Sequence, residues 1–141
     1  MFLCLDELWI HFDVGKNVRL IAAHEIACTL GPAKSAALPI FHCLTGCDTV
    51  FSFSSKRKKS AWEACYCFPE ATDAFVSLYA VNDAVDQATM TILERFVIIM
   101  YNRTSECTDL DSARKYLFTK KSRQLELFPL TSNAFFMQHV K

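Results

Sequence analysis

Near the start of the chain Leu8, Ile10 and Phe12 alternate with Trp9 and His11, "DVGKN" supplies turn residues, and "VRLI" resumes the extended pattern. An alternation interrupted by Gly and Asn and then resumed predicts a β-hairpin. From Ala23 the period becomes helical. "HEIACTL" is stopped by Gly31, and Pro32 is suited to open a second helix that runs to about residue 45, with Pro39 expected to bend it. "SAWE" at 60–63 fits a capping box, in which the serine and the glutamate three residues on satisfy each other's orphan amides; it predicts a helix over 61–68. Pro69 ends that helix and another is expected over 70–80.

Residues 83–101 form the longest periodic segment. Val85, Ala88, Ile92, Phe96 and Ile99 share one stripe, with Asp86, Thr89 and Arg95 largely off it, so this helix is expected to be central and buried along Ile92, Phe96 and Ile99. A further helix is predicted over 109–119, with cations suited to its C-terminal dipole, and Thr131 or Ser132 caps a last one. The fold class that follows is mainly α (α+β), with about six helices and one N-terminal β-hairpin in a single domain over 1–141. Within it, 1–23 is the hairpin region, 24–80 a helical segment with a basic turn, and 81–141 the C-terminal helices. No internal repeat or low-complexity linker interrupts it.

Composition changes this picture in two respects. With 52% apolar residues, 12 Phe and only 3 Gly in 141 residues, either the core is aromatic-rich or a Phe-rich face is left for a partner; the second is expected. A lone hairpin is marginal in water, and together with an abrupt start and an end inside "FFMQHVK" it suggests an incomplete unit, whose partner is a missing N-terminal half or another protein chain. Net charge is zero, but nine of the 15 cations fall in the windows 56–59 and 114–123, and a segregated charge can bind phosphate when the net charge does not. Seven Cys is an odd number with no CxxC, and the first five residues are too short for a secretory signal, so reduced thiols in the cytoplasm or nucleus are expected. No apolar run is long enough for a membrane span, and no membrane partner is expected.

Candidate chemistry is concentrated in "HCLTGCDTVFSFSSKRKKSAWE", residues 42–63. Asp48 is either a metal-binding carboxylate or a loop aspartate capping nearby amides. Lys56, Arg57, Lys58 and Lys59 form a solvated loop, a phosphate contact or a nuclear-import signal. His42, Cys43, Cys47 and Asp48 could be drawn as a zinc site but lack paired CxxC spacing, and Cys43 lies in an apolar run where a buried free thiol is ordinary. His24-Glu25 begins an HExx pattern that Cys28 breaks, and Cys65 and Cys67 point to different faces of their helix.

The succession "LWIHFDVGKNVRLIA", "HEIACTLG", "ALPIFHCLTG", "CDTV", a cation-rich turn and "SAWEACYCFPEA" resembles the later part of the nuclease domain of flap endonucleases and their PIN-like relatives, over residues 8–70. Over nearly its whole length the chain also resembles mobile-element-associated proteins of invertebrates and fish, which commonly read "FxGKGKKTAWE" where this chain reads "FSSKRKKSAWE". The resemblance implies that Asp48 is one of several carboxylates holding a pair of Mg²⁺ or Mn²⁺ ions, that Gly46 makes the tight turn before it, and that Lys56, Lys58 and Lys59 face the DNA backbone. Ser55 and Arg57 stand where the family pattern has glycines that let amides approach a phosphate.

A two-metal site needs more than one carboxylate, and Asp48 is the only one between Glu25 and Glu63. The expectation is therefore a non-catalytic fragment or degenerate relative of such a nuclease, a pseudoenzyme with no certain cofactor, touching DNA weakly and without sequence preference through 56–59. The alternative is a protein–protein interaction or structural module with a Phe-rich face.

Overall fold

A computed structural model of the chain describes residues 6–46, 53, 56–80, 85–120 and 129–139. They are mainly helical, with one two-stranded antiparallel sheet toward the N-terminus, and the chain divides into two compact units, Met1–Ala36 and Ala37–Lys141.

In the first unit β1 (Trp9–Val14) pairs with β2 (Asn17–Ala22), Ile10 opposite Ile21 and Asp13 opposite Val18. Gly15, the first of two loop residues, takes φ 63°, the left-handed backbone such a tight turn requires. Helix α1 (Ala23–Leu44) follows without a linker. The Ala23 N–H donates to the Leu8 carbonyl at 2.9 Å, and the Trp9 ring meets His24 edge-on at 5.4 Å. Gly31 (φ 78°, ψ 168°) breaks the helical backbone, and helix resumes at Pro32, whose missing N–H would have no partner in a first turn. No comparable break occurs at Pro39. Pro39 lies within continuous helix, with Ala37, Phe41 and Leu44 buried around it.

The second unit adds α2 (Lys58–Cys67), α3 (Glu70–Ala80), α4 (Gln87–Tyr101), α5 (Leu110–Lys120) and α6 (Ser132–His139). Helix α4 is central, packed against α2, α3 and α5. Its burial is wider than the expected stripe. Met90, Leu93 and every residue from Phe96 to Met100 are buried while Ile92 is only partly so, the pattern of a helix covered on most sides.

Phenylalanine builds the core. Trp62, Phe41, Phe75 and Phe96 form an edge-to-face series with centroids 5.2, 6.1 and 5.2 Å apart, and Phe53 packs on Phe135 at 6.2 Å. Five of the phenylalanines are thus internal, whereas Phe12, Phe118 and Phe136 are exposed on three different elements.

Helix ends follow the sequence signals in most places. The Asp86 side chain accepts the Thr89 N–H, Asp109 accepts the Ser112 N–H at 2.8 Å, and Thr131 Oγ1 accepts the Ala134 N–H at 3.2 Å. The α4 helix begins at Gln87; Val85 and Asp86, which the sequence placed in it, precede it, and 83–84 lie outside the described residues. These amide bonds hold the Asp86 and Asp109 carboxyls below the ordinary aspartate value of 3.8. Because the folded values are depressed, the stabilisation is present above 3.8 and disappears as pH falls through the lower folded values.

The capping box at Ser60 does not form. Helix α2 starts a turn earlier, with Arg57 extended at the N-cap (φ −95°, ψ 157°) and the Ala61 N–H donating to the Arg57 carbonyl. Glu63 turns away from Ser60 to an ion pair with Arg103, so the glutamate half of the box is engaged elsewhere. Among the described residues no helix is long and apolar enough to cross a membrane.

Candidate nucleic-acid interface

The basic segment lies where α2 begins, and the core sets its position. Phe53 is buried against Phe135, and the Lys56 N–H returns to the Phe53 carbonyl at 3.1 Å, so the chain just before the helix is tied to a buried aromatic residue. Lys56 and Arg57 precede the helix, while Lys58 and Lys59 are its first two residues. The four cations therefore do not form one loop, as the sequence suggested, but the last turn residues and the first turn of a helix.

Each of the four has a different environment. The Lys56 ammonium lies over the Tyr101 ring at 4.9 Å from its centroid. Lys58 Nζ donates to His42 Nδ1 at 2.8 Å and to the His42 carbonyl at 3.3 Å. An ammonium has only donors, so Nδ1 must carry the lone pair, which puts the imidazole proton on Nε2. Arg57 and Lys59 are exposed and have no side-chain partner among the described residues. Among the described residues no side chain caps the helix and no acid lies in its first turn, while Arg103 takes the Glu63 charge one turn further on. The unsatisfied amides and positive dipole end of α2 thus carry two lysines in place of the acids that ordinarily occupy a first turn, an electrostatic arrangement unfavourable by itself and favourable toward an anion.

Gly46 ends α1 with φ 98°, and the Gly46 N–H reaches the Cys43 carbonyl at 3.3 Å. Left-handed backbone there favours glycine as a helix C-terminus does. Asp48, Cys47 and Ser55 lie outside the described residues. At Arg57 φ is −95°, which any residue adopts, so the arginine is unstrained. Cys43 is exposed, contrary to expectation, because its neighbours Phe41 and Leu44 take the inward face of α1. Cys65 is buried and Cys67 exposed, on different faces as expected. Among the described residues no three His, Cys, Asp or Glu side chains are grouped to hold a metal ion.

Two partners of the basic segment were not foreseeable as such. His42 lies 16 positions before Lys58, and Tyr101 lies 45 positions after Lys56; no local pattern links them. Burial pushes the Tyr101 phenol up from 10.0 to about 12, against a smaller lowering by the Arg114 charge. The neutral phenol is the favoured form, so this contribution is complete below pH 10 and is lost as pH rises through about 12. Ultraviolet difference titration should show a late phenolic step that Tyr101→Phe removes. Retention of that step in the variant would assign it to another tyrosine.

The comparisons with known proteins add nothing to this geometry: no family model matches the chain, and no curated protein or solved structure does.

Proposed function

We propose that the chain is a non-catalytic relative of a flap-endonuclease-like domain that touches the DNA backbone through the start of α2, in the nucleus or cytoplasm. The observation that supports this reading is the cationic, uncapped helix N-terminus bearing Arg57, Lys58 and Lys59. Cations and amides of this kind contact phosphate oxygens and read no base edge, so binding is weak and indifferent to sequence. With about three phosphates neutralised, log affinity should fall against log salt with a slope near −3, and the double variant Lys58→Ala, Lys59→Ala should flatten it by about 2.

Fluorescence anisotropy with duplex DNA at several salt concentrations measures both quantities. Asp48→Asn should leave affinity equal or slightly higher; a parallel loss in that variant and on chelating Mg²⁺ would instead make Asp48 the holder of a metal bridging to phosphate. No Mg²⁺- or Mn²⁺-dependent cleavage of flap, hairpin or single-stranded DNA is expected, and cleavage abolished by Asp48→Asn would restore the enzyme reading. Binding absent at low salt, or unchanged without the two lysines, would favour the second reading, a protein–protein interaction module. That alternative draws on the exposed Tyr116, Phe118, Phe136 and Met137 of α5 and α6, and an apolar interface of this kind would respond little to salt.

A further inference from the structure

The capping box that does not form leaves Ser60 without the role its sequence suggested. Its hydroxyl has no hydrogen-bond partner among the described residues, and Glu63, the other half of the box, is paired with Arg103. What precedes Ser60 is specific. Three positions after the six arginines of the chain stand Ala22, Ser60, Ile98, Glu106, Leu117 and Glu126, so Ser60 is the only serine or threonine with an arginine at that spacing. Lys58 and Lys59 fill the two positions between.

Protein kinases of the basophilic class carry carboxylates where the third residue before the acceptor docks, and a guanidinium suits them because it pairs with a carboxylate bidentately. Arg57 is exposed and already extended (φ −95°, ψ 157°), with Lys58 and Lys59 exposed beside it. A kinase cleft takes its substrate as extended chain, so the first turn of α2 has to open. That turn is the weak end of the helix. Among the described residues no side chain caps it, and no acid offsets its two lysines. Fraying ends of this kind open with little free energy.

We propose that Ser60 is a phosphoryl acceptor for a basophilic Ser/Thr kinase and that its phosphate displaces DNA from the start of α2; the second half rests on the DNA-backbone reading above, the first does not. In the transfer Ser60 Oγ forms a bond to the γ-phosphorus of ATP, the bond from that phosphorus to the bridging oxygen breaks to release ADP, and the hydroxyl proton passes to the catalytic aspartate of the kinase. The added group carries a charge of about −1.5 to −2 at neutral pH. Against the three positive charges of Arg57, Lys58 and Lys59, this leaves a net charge of about +1 to face DNA. The phosphate also lies in the first turn, where orphan amides and the positive dipole end favour an anion. Glu63 is the only acid on α2 and is held by Arg103, so no unpaired carboxylate of this helix opposes it.

Incubation of the full chain with the catalytic subunit of cAMP-dependent protein kinase, ATP and Mg²⁺ tests the acceptor. The intact mass should rise by one phosphate, fragmentation should place it on Ser60, Ser60→Ala should abolish it, and Arg57→Ala should slow its appearance about tenfold or more. Anisotropy of the phosphorylated chain with duplex DNA should then show the salt slope reduced from about −3 to about −1, while Ser60→Ala taken through the same treatment keeps the slope of the parent. No incorporation, incorporation that survives Ser60→Ala, or incorporation indifferent to Arg57→Ala would each overturn the acceptor assignment. A phosphorylated chain that binds duplex as tightly as the parent would overturn the displacement. A parent that binds no duplex fails the DNA reading and the displacement with it, and the incorporation still decides the acceptor.

Discussion

Phe96→Ala should lower stability by about 3–5 kcal/mol, the usual result of deleting a fully buried aromatic ring. Phe96 has no exposed surface and lies edge-on to Phe75 at 5.2 Å, in a helix whose neighbours from 97 to 100 are also buried. The ring cannot be replaced by solvent, and a well-packed surround collapses only in part around the space it leaves. At roughly 4 °C per kcal/mol for a chain of this size, the thermal midpoint should fall by about 10–20 °C. Ile92→Ala is the internal control. Ile92 is only partly buried on the same helix, so it should cost clearly less. Equal losses at the two positions would mean that α4 buries the narrower stripe read from the sequence and not the broad surface seen here.

That comparison shows where the sequence was legible. Hairpin, helix break at Gly31, restart at Pro32, cap at Thr131 and the centrality of α4 all follow from signals within a few residues, and the structure bears them out. The breadth of burial on α4 was not legible, because a stripe of period 3.6 marks one apolar face and says nothing of what covers the others. Ser60 failed as a cap for a related reason. A capping box is a local reading, and Glu63 found its partner in Arg103, 40 positions away. The basic segment was visible as composition, but its division among a ring, an imidazole and a bare helix end depended on Tyr101 and His42 being brought to it by the core.

Glu94 presents the same lesson in the other direction, since nothing in the sequence around it signals its role. Its Oε2 accepts the Leu110 N–H at 3.0 Å and the Ser132 hydroxyl at 3.1 Å, so one half-buried carboxylate of α4 holds the starts of both α5 and α6. The α5 start has Asp109 as well, but α6 has only eight residues, too few to persist as an isolated helix, and depends on such ties and on the buried Phe135 ring. Hydrogen bonds to a charged acceptor contribute about 1.5–3 kcal/mol each. Glu94→Ala, which breaks two at a half-exposed site, should therefore cost about 3 kcal/mol, the low end of their sum, in denaturant unfolding, and Glu94→Gln, which keeps an acceptor without the charge, about half of that. A double-mutant cycle with Ser132→Ala isolates the α6 tie, with a coupling on the order of 1 kcal/mol expected. If Ser132→Ala is as costly without Glu94 as with it, the carboxylate does not hold α6, and the last helix rests on the Phe135 ring and the Thr131 cap.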